Sequence, residues 1–219
     1  VIVDELGCSG MLPARPPIYV ATGNAGKVRE LRALFAHAPY DLTLFAGYTA
    51  PPEGEHSYTD NAAIKARTLH ARLVALGRPA AVVADDSGLE VAALGGRPGV
   101  TTADYGGSGA TWPERRRRLL AELAAAGDDD RRARFVCAMH VVDAGGREFG
   151  SFGTVDGVIA AQERGKLGFS FDPIFFYPPA ARTFAELDEQ EKNRISHRAI
   201  ATAAIIAAIV AAGVRFAAA

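Results

Sequence analysis

The chain has 219 residues, 49% of them hydrophobic and 22% charged, which suits one compact globular domain. Its 24 basic and 25 acidic side chains leave a net charge of -1, so no field favours nucleic acid or a membrane surface, and a small-molecule partner is expected. The two cysteines, Cys8 and Cys137, sit in dissimilar settings without metal-ligand spacing and read as free thiols in a reducing cytoplasm.

Residues 1–17 lack periodicity, end in Pro13, Pro16 and Pro17, and read as a loose, dispensable extension, with Met11 a candidate start. They show no basic stretch followed by an apolar one, so no signal peptide is expected. Residues 18–219 form the working domain. Ile18 to Ala21 reads as its first strand. The loop Thr22-Gly23-Asn24-Ala25-Gly26-Lys27 follows, then a helix from about Val28 to Phe35 with Val28, Leu31 and Phe35 on one face. Strand, small-residue loop and helix is a phosphate-binding arrangement, in which backbone amides, the helix N-terminus and Lys27 meet an anion. The spacing is not that of a P-loop, and a plain turn capped by Asn24 is the structural alternative.

Leu42 to Phe45 reads as a second strand, residues 46–58 as a loop with Glu53 and Glu55, and residues 59–76 as a long helix. Ala62, Ala66, Leu69, Leu73 and Leu76 form its buried stripe, while Asn61, Lys65, Thr68 and Arg72 share another face. The short apolar run Ala81 to Ala84 predicts a buried strand ending at Asp85-Asp86-Ser87-Gly88. A carboxylate pair at a strand end can hold Mg2+, or can simply make a turn. Leu89 to Val91 continues as a short strand, residues 94–109 as a glycine-rich loop, and Trp112 to Ala126 as an amphipathic helix. Its Arg115 to Arg118 run is expected to be a solvated face toward Asp128 to Asp130.

Arg134 to Val142 and Glu148 to Ile159 alternate and predict an antiparallel hairpin. In the glycine-bounded loop that follows, Phe169, Ser170, Phe171 and Asp172 suit a base pocket, one ring to stack and one carboxylate to read donors; core aromatics are the alternative. A last helix starts at Asp188 with Glu191 completing its capping box, runs through Lys192, Ser196, His197 and Arg198, and ends in an Ala-rich tail too short and too mild to span a bilayer. His197 and Arg198 in mid-helix ask for an anion or a polar ligand.

Together these residues resemble the XTP/dITP diphosphatase family, also called inosine triphosphate pyrophosphatases. The resemblance runs from Ile18 to the C-terminus. It rests on Ala21 to Leu31, on Asp60-Asn61-Ala62 with Lys65-Ala66-Arg67, on Ala84 to Leu89, on Leu94-Gly95-Gly96 with Pro98-Gly99, on Gly168 to Phe175, and on Glu191-Lys192-Asn193 with Ile195 to Arg198. It implies an α/β fold with an elongated mixed central sheet flanked by helices and two lobes with a cleft between them. It also implies a homodimer and Mg2+-dependent hydrolysis of deaminated purine nucleoside triphosphates to monophosphate and pyrophosphate. By motif position Thr22 to Lys27 hold the triphosphate, Asp86 is the metal-associated proton acceptor, and Ser87 touches substrate. Phe169 to Asp172 form the base pocket with Lys192, His197 and Arg198. Lys65 can aim at phosphate, and Arg198 is expected to donate to the oxygen at C6 of the base.

The chain departs from the family in three places. Ser170-Phe171 replaces a frequent Gly-Tyr or Gly-Trp, Ala103-Asp104-Tyr105 a frequent Ala-Arg-Tyr, and aligning on Asn61 puts Pro52 where the family has a metal-binding Glu. The implied ligands are then Asp86 and the adjacent Glu53, with Glu55 the other candidate.

Overall fold

The computed structural model describes residues 15–214 apart from 56, 108 and 128. Cys8, Met11 and most of the expected extension lie outside the described residues. Residues 15–17 of the expected extension take part in the fold. Arg15 donates to the carbonyls of Ala36 and Ala38 at 2.9 and 3.2 Å, and Pro17 opens the first strand opposite Asp41.

The elements in chain order are β1 (Pro17–Val20), α1 (Ala25–Phe35), β2 (Asp41–Leu44), α2 (Tyr58–Ala75), β3 (Ala81–Val91), β4 (Pro98–Gly99), α3 (Trp112–Ala125), β5 (Arg132–Val142), β6 (Glu148–Ile159), β7 (Phe175–Tyr177), β8 (Arg182–Thr183), α4 (Glu189–Ile195) and α5 (His197–Ala211). The strands make one mixed eight-stranded sheet in the order β2-β1-β3-β5-β6-β7-β8, with β4 beside β3. The β1 pairings are parallel, as the β1–α1–β2 crossover requires, and the rest are antiparallel. The expected hairpin is present as β5 and β6, paired in register from Arg132 opposite Val158 to Val142 opposite Glu148.

Side chains alternate across a strand, and the sheet is covered on both faces accordingly. Val83, Cys137, Met139 and Val141 pack with Leu31 and Phe35 of α1 and with Ala201, Ile205 and Ile209 of α5. Val82, Ala84 and Val142 pack with Ala66, Leu69 and Leu73 of α2 on the opposite face. Farther along the same long strands, Leu89, Phe135 and Val155 belong to another core with Leu119 and Leu123 of α3 and the aromatics Phe171, Phe175 and Phe184. Leu76, expected in the stripe of α2, is the residue after its last turn and is 54% exposed.

Four expectations need correction. First, β3 does not stop at Ala84. It runs unbroken through Asp85, Asp86, Ser87 and Gly88, because β5 pairs with every residue from Val82 to Val91. That ladder outweighs the turn preference of Asp, Ser and Gly. Gly88 is required for a different reason: a Cβ there would run into the Gly99 carbonyl and crowd Thr102 and Tyr58. Second, the last helix is two helices bent by 63°. Ser196 has an extended backbone and its hydroxyl accepts from the Ala199 amide at 3.1 Å, so it ends α4 and caps α5. His197 and Arg198 therefore open a helix rather than sit inside one. The Asp188–Glu191 capping box is as expected. Third, Arg115 and Arg116 are buried. Arg115 donates to the carbonyls of Ala103, Tyr105, Gly107 and Ala110, stitching the glycine-rich loop to α3. Fourth, α1 starts at Ala25, three residues early, because Asn24 caps it by accepting from the Gly26 and Lys27 amides at 2.9 and 3.2 Å. Among the described residues no single helix is long and apolar enough to cross a membrane.

Candidate active site

The period of two along β3 decides the centre of the site. Asp85 faces α1 and α5, and Asp86 faces α2, so adjacent carboxylates work on opposite sides of the sheet. Their adjacency in sequence suggested one shared site; of the two, Asp86 lines the cavity described below and Asp85 does not.

On the α1 and α5 side, Asp85 is 1% exposed and meets Lys27 at 3.1 Å and the Arg198 guanidinium at 3.1 and 3.3 Å. Burial would raise its pKa, but Lys27, Arg198 and Lys65 together hold it well below the usual carboxylate range. Arg198 also donates to Glu30 and, at 2.9 Å, to Ser87. Lys192 lies 2.7 Å from Glu30 and 2.5 Å from Asp172. Burial works against the Lys192 ammonium, yet the two carboxylates push its pKa up; burial, with Glu30 nearby, also raises Asp172. Glu30 stays ionised because Arg198 and Lys192 outweigh its desolvation. Glu30 is thus the hub of a buried chain of ion pairs. Its signal was available as a carboxylate three residues beyond Lys27 on α1, placing it one helical turn on.

On the α2 side, Asp86 accepts from Lys65 at 2.9 Å and from the Asn61 amide at 3.4 Å. Asn61 also bonds the backbone of Gly54 in both directions at 2.8 Å, which ties the preceding loop to this point. Glu53 reaches the same Lys65 ammonium at 2.6 Å. Asp86 and Glu53 therefore converge on one cation, an arrangement that fits a hard dication with phosphate oxygens completing its shell. Among the described residues no set of three or more His, Cys, Asp and Glu side chains suits a metal by itself. Glu55 lines the same cavity.

A cavity of about 470 Å3 is lined by Lys27, Glu53, Lys65, Asp86, Lys192 and Arg198, with Asp85 and Glu30 buried behind it. The loop residues Thr22, Gly23, Asn24 and Lys27 form one wall, but the loop is partly self-satisfied. The amides of Asn24, Gly26 and Lys27 already donate to Thr22 and Asn24 side chains. Ala25 and Gly26 do not line the cavity; Gly26 instead lies under Phe169, whose ring would be 3.0 Å from any Cβ. That contact couples the loop of residues 22–27 to the aromatic loop.

At the other wall stand Phe169, Ser170, Asp172, Lys192, His197 and Arg198. The Lys192 ammonium is 4.9 Å from the Phe169 ring centroid. Asp172 accepts from the Phe169 amide at 2.7 Å, and Arg116 of α3 donates to the Ser170 carbonyl at 2.8 Å and sits 3.0 Å from Glu163. These bonds hold Ser170 at φ +57, a left-handed conformation unusual for serine. His197 stacks on Phe135 at 4.7 Å, its Nδ1 without a hydrogen-bond partner among the described residues. Burial, then Arg198 and Lys192, push its pKa well below the ordinary value, so the imidazole is neutral.

One expectation fails here and another is narrowed. Phe171 is fully buried, packed edge-on against Trp112 at 5.6 Å and Tyr105 at 6.1 Å, so it cannot stack on a base. Arg198 is 1% exposed and four of its five N–H groups are taken by Glu30, Asp85 and Ser87. One N–H is left for a ligand, so a bidentate contact to a base is not open to it. The sequence reading missed Trp112, Phe135, Tyr48 and Asp104, all of which line the cavity. They come from four separate segments with no local motif.

The model of the Ham1 family matches residues 18–208. A protein of Geobacillus kaustophilus named dITP/XTP pyrophosphatase is 43% identical over 83% of this chain and 88% of its own length, and a Thermus thermophilus protein of the same name is 42% identical over 87% and 90%. The solved structure of a HAM1 protein from Coxiella burnetii superposes with a TM-score of 0.78 at 36% identity, covering 90% of this chain and 99% of that one. With the fold, the motifs and the length of the match in agreement, the chain belongs to the Ham1 family.

Proposed function

We propose that this protein hydrolyses deaminated purine nucleoside triphosphates, ITP, dITP and XTP, to the monophosphate and pyrophosphate. The observation that carries the reading is the pair of opposed charge clusters around one cavity. Lys27 and Arg198, backed by the buried Asp85, line it on one side of β3, and Lys65, Asp86 and Glu53 on the other. Relatives matched over 88% and 90% of their own length carry the name dITP/XTP pyrophosphatase.

Hydrolysis adds water across the α–β anhydride. One phosphorus–oxygen bond forms, one breaks, and the proton of the attacking water goes to a base. Asp86 suits that base: it faces the cavity, is held in place by Lys65 and Asn61, and is a carboxylate. Mg2+, held by Asp86 and Glu53, would supply charge neutralisation on phosphate oxygens. Lys27 neutralises charge at the phosphate loop. Phe169 offers a face to the purine, and the neutral His197 Nδ1 and the last Arg198 N–H are the polar atoms left to meet its edge. The reading extends to two lobes closing on the cavity, to a cytoplasmic location consistent with the free buried thiol of Cys137, and to a homodimer. Apolar surface on the α2 side, with Ile64 at 41% and Phe152 at 52% exposure, supports the dimer, which sedimentation of wild type against Phe152→Glu tests.

The deciding experiment is pyrophosphate release from ITP, XTP, dITP, ATP and GTP, with and without Mg2+. Release from the first three in preference to ATP and GTP, abolished by chelator, is the expected result. Stepwise release of inorganic phosphate, or binding without turnover, would overturn it.

A further inference from the structure

A second cavity, of about 670 Å3, lies on the other side of the phosphate loop. It shares Thr22, Gly23 and Tyr48 with the catalytic cavity. Two arginines of α1, Arg29 and Arg32, line it and sit three residues apart, neighbours on one helix face. Both are exposed, and among the described residues neither has an ion pair or hydrogen bond. The contrast with the catalytic cavity is sharp. There Lys27, Lys65, Lys192 and Arg198 each already face at least one carboxylate. Tyr48 lines both cavities, and its hydroxyl is buried with no hydrogen-bond partner among the described residues.

We infer that the second cavity is an anion subsite that takes the pyrophosphate product as it leaves. The inference rests on the reaction proposed above. Breaking the α–β anhydride leaves the nucleoside monophosphate anchored by its base and a multiply charged pyrophosphate at the Thr22–Gly23 loop. Every cation around that pyrophosphate is shared with a protein carboxylate. Across the loop stand two cations that are not. The energy of an anion therefore falls from the catalytic cavity toward Arg29 and Arg32, with Tyr48 lining both cavities. Guanidinium groups suit the task because each can present two parallel N–H bonds to one phosphate.

The test compares wild type with Arg29→Gln/Arg32→Gln by calorimetric titration of pyrophosphate and by pyrophosphate inhibition of ITP turnover. The double variant is expected to weaken pyrophosphate binding by at least about tenfold, the equivalent of one lost charge-assisted hydrogen bond. Its kcat and KM for ITP should stay within about twofold of wild type. Arg32→Lys, which keeps the charge, should recover part of the affinity in the Arg29-containing background. Unchanged pyrophosphate binding overturns the subsite, as does a KM for ITP that rises by the same factor, since the arginines would then serve the triphosphate. Should ITP yield no pyrophosphate, the reaction assignment fails, while the titration with pyrophosphate itself still decides the subsite.

Discussion

Asp86 and Asp85 are neighbours in sequence with opposite duties. Asp86→Asn keeps the size and the fold but removes the base, so turnover should fall by roughly 10²–10⁴-fold with the melting curve little changed. Pyrophosphate release within a factor of a few of wild type would remove Asp86 from the mechanism. Arg198 is bound into the Asp85–Glu30 side of the network. Arg198→Ala leaves buried Asp85 to Lys27 alone and buried Glu30 to Lys192 alone, and breaking such buried pairs costs about 3–5 kcal/mol, readable as a lower urea midpoint. His197 makes a pH prediction. Its folded pKa lies below its ordinary value of 6.5, so below that pH the unfolded chain binds a proton the folded chain refuses. Stability contributed by the neutral imidazole is complete above pH 6.5 and drains away as pH falls, by about 1.4 kcal/mol per unit. Denaturation midpoints at pH 7, 6 and 5 should show that slope in wild type and lose it in His197→Gln; equal slopes would contradict the neutral buried state.

At the scale of elements, the loop 168–172 is aimed rather than free. Gly168 sits at φ +71 with no room for a Cβ beside Asp172, and Ser170 is held left-handed by Arg116 from α3. Arg116 is thus a positioning residue for Phe169. Arg116→Met keeps the bulk of the side chain and removes the clamp. It should raise KM for ITP by about tenfold, the worth of one charged hydrogen bond, with kcat near wild type. A fall in kcat at unchanged KM would instead assign Arg116 to the chemistry. The break at Ser196 is an element-scale device of the same kind. By ending α4 and capping α5 it brings Lys192 and Arg198 from two helix directions onto the single Glu30 carboxyl of α1. A continuous helix would have carried these two side chains, six residues apart, onto different faces.

For the whole molecule, the site draws on α1, α2, β3, α4 and α5, so ligand occupancy should report on global stability. With nucleotide at a hundred times its dissociation constant, the inactive Asp86→Asn protein should gain about 2.7 kcal/mol. For a chain of this size that is a rise in Tm of roughly 5–10 °C, measurable by scanning calorimetry with ITP. ATP, which the base pocket is expected to reject, should give a much smaller rise at the same concentration; an equal rise would mean that the phosphates alone drive binding.

Periodicity determined α2, the β5–β6 hairpin and the α3 stripe, since burying one face of an element requires apolar residues at that element's own repeat. Capping chemistry determined the start of α4 at Asp188. The motif residues determined the family and most of the cavity, because Thr22 to Lys27, Asp86 and the Lys192 to Arg198 stretch carry their chemistry locally. Tertiary structure alone decided that Asp85-Asp86-Ser87-Gly88 is strand rather than turn, since the pairing that overrides its turn preference comes from β5, some fifty residues away. It alone buried Phe171, left Phe169 at the cavity, and enclosed Arg115 and Arg116 within their own chain. It also made Glu30 the meeting point of Lys192 and Arg198. Which charge meets which is set by distances between elements, and those distances are fixed only when the sheet and its helices pack.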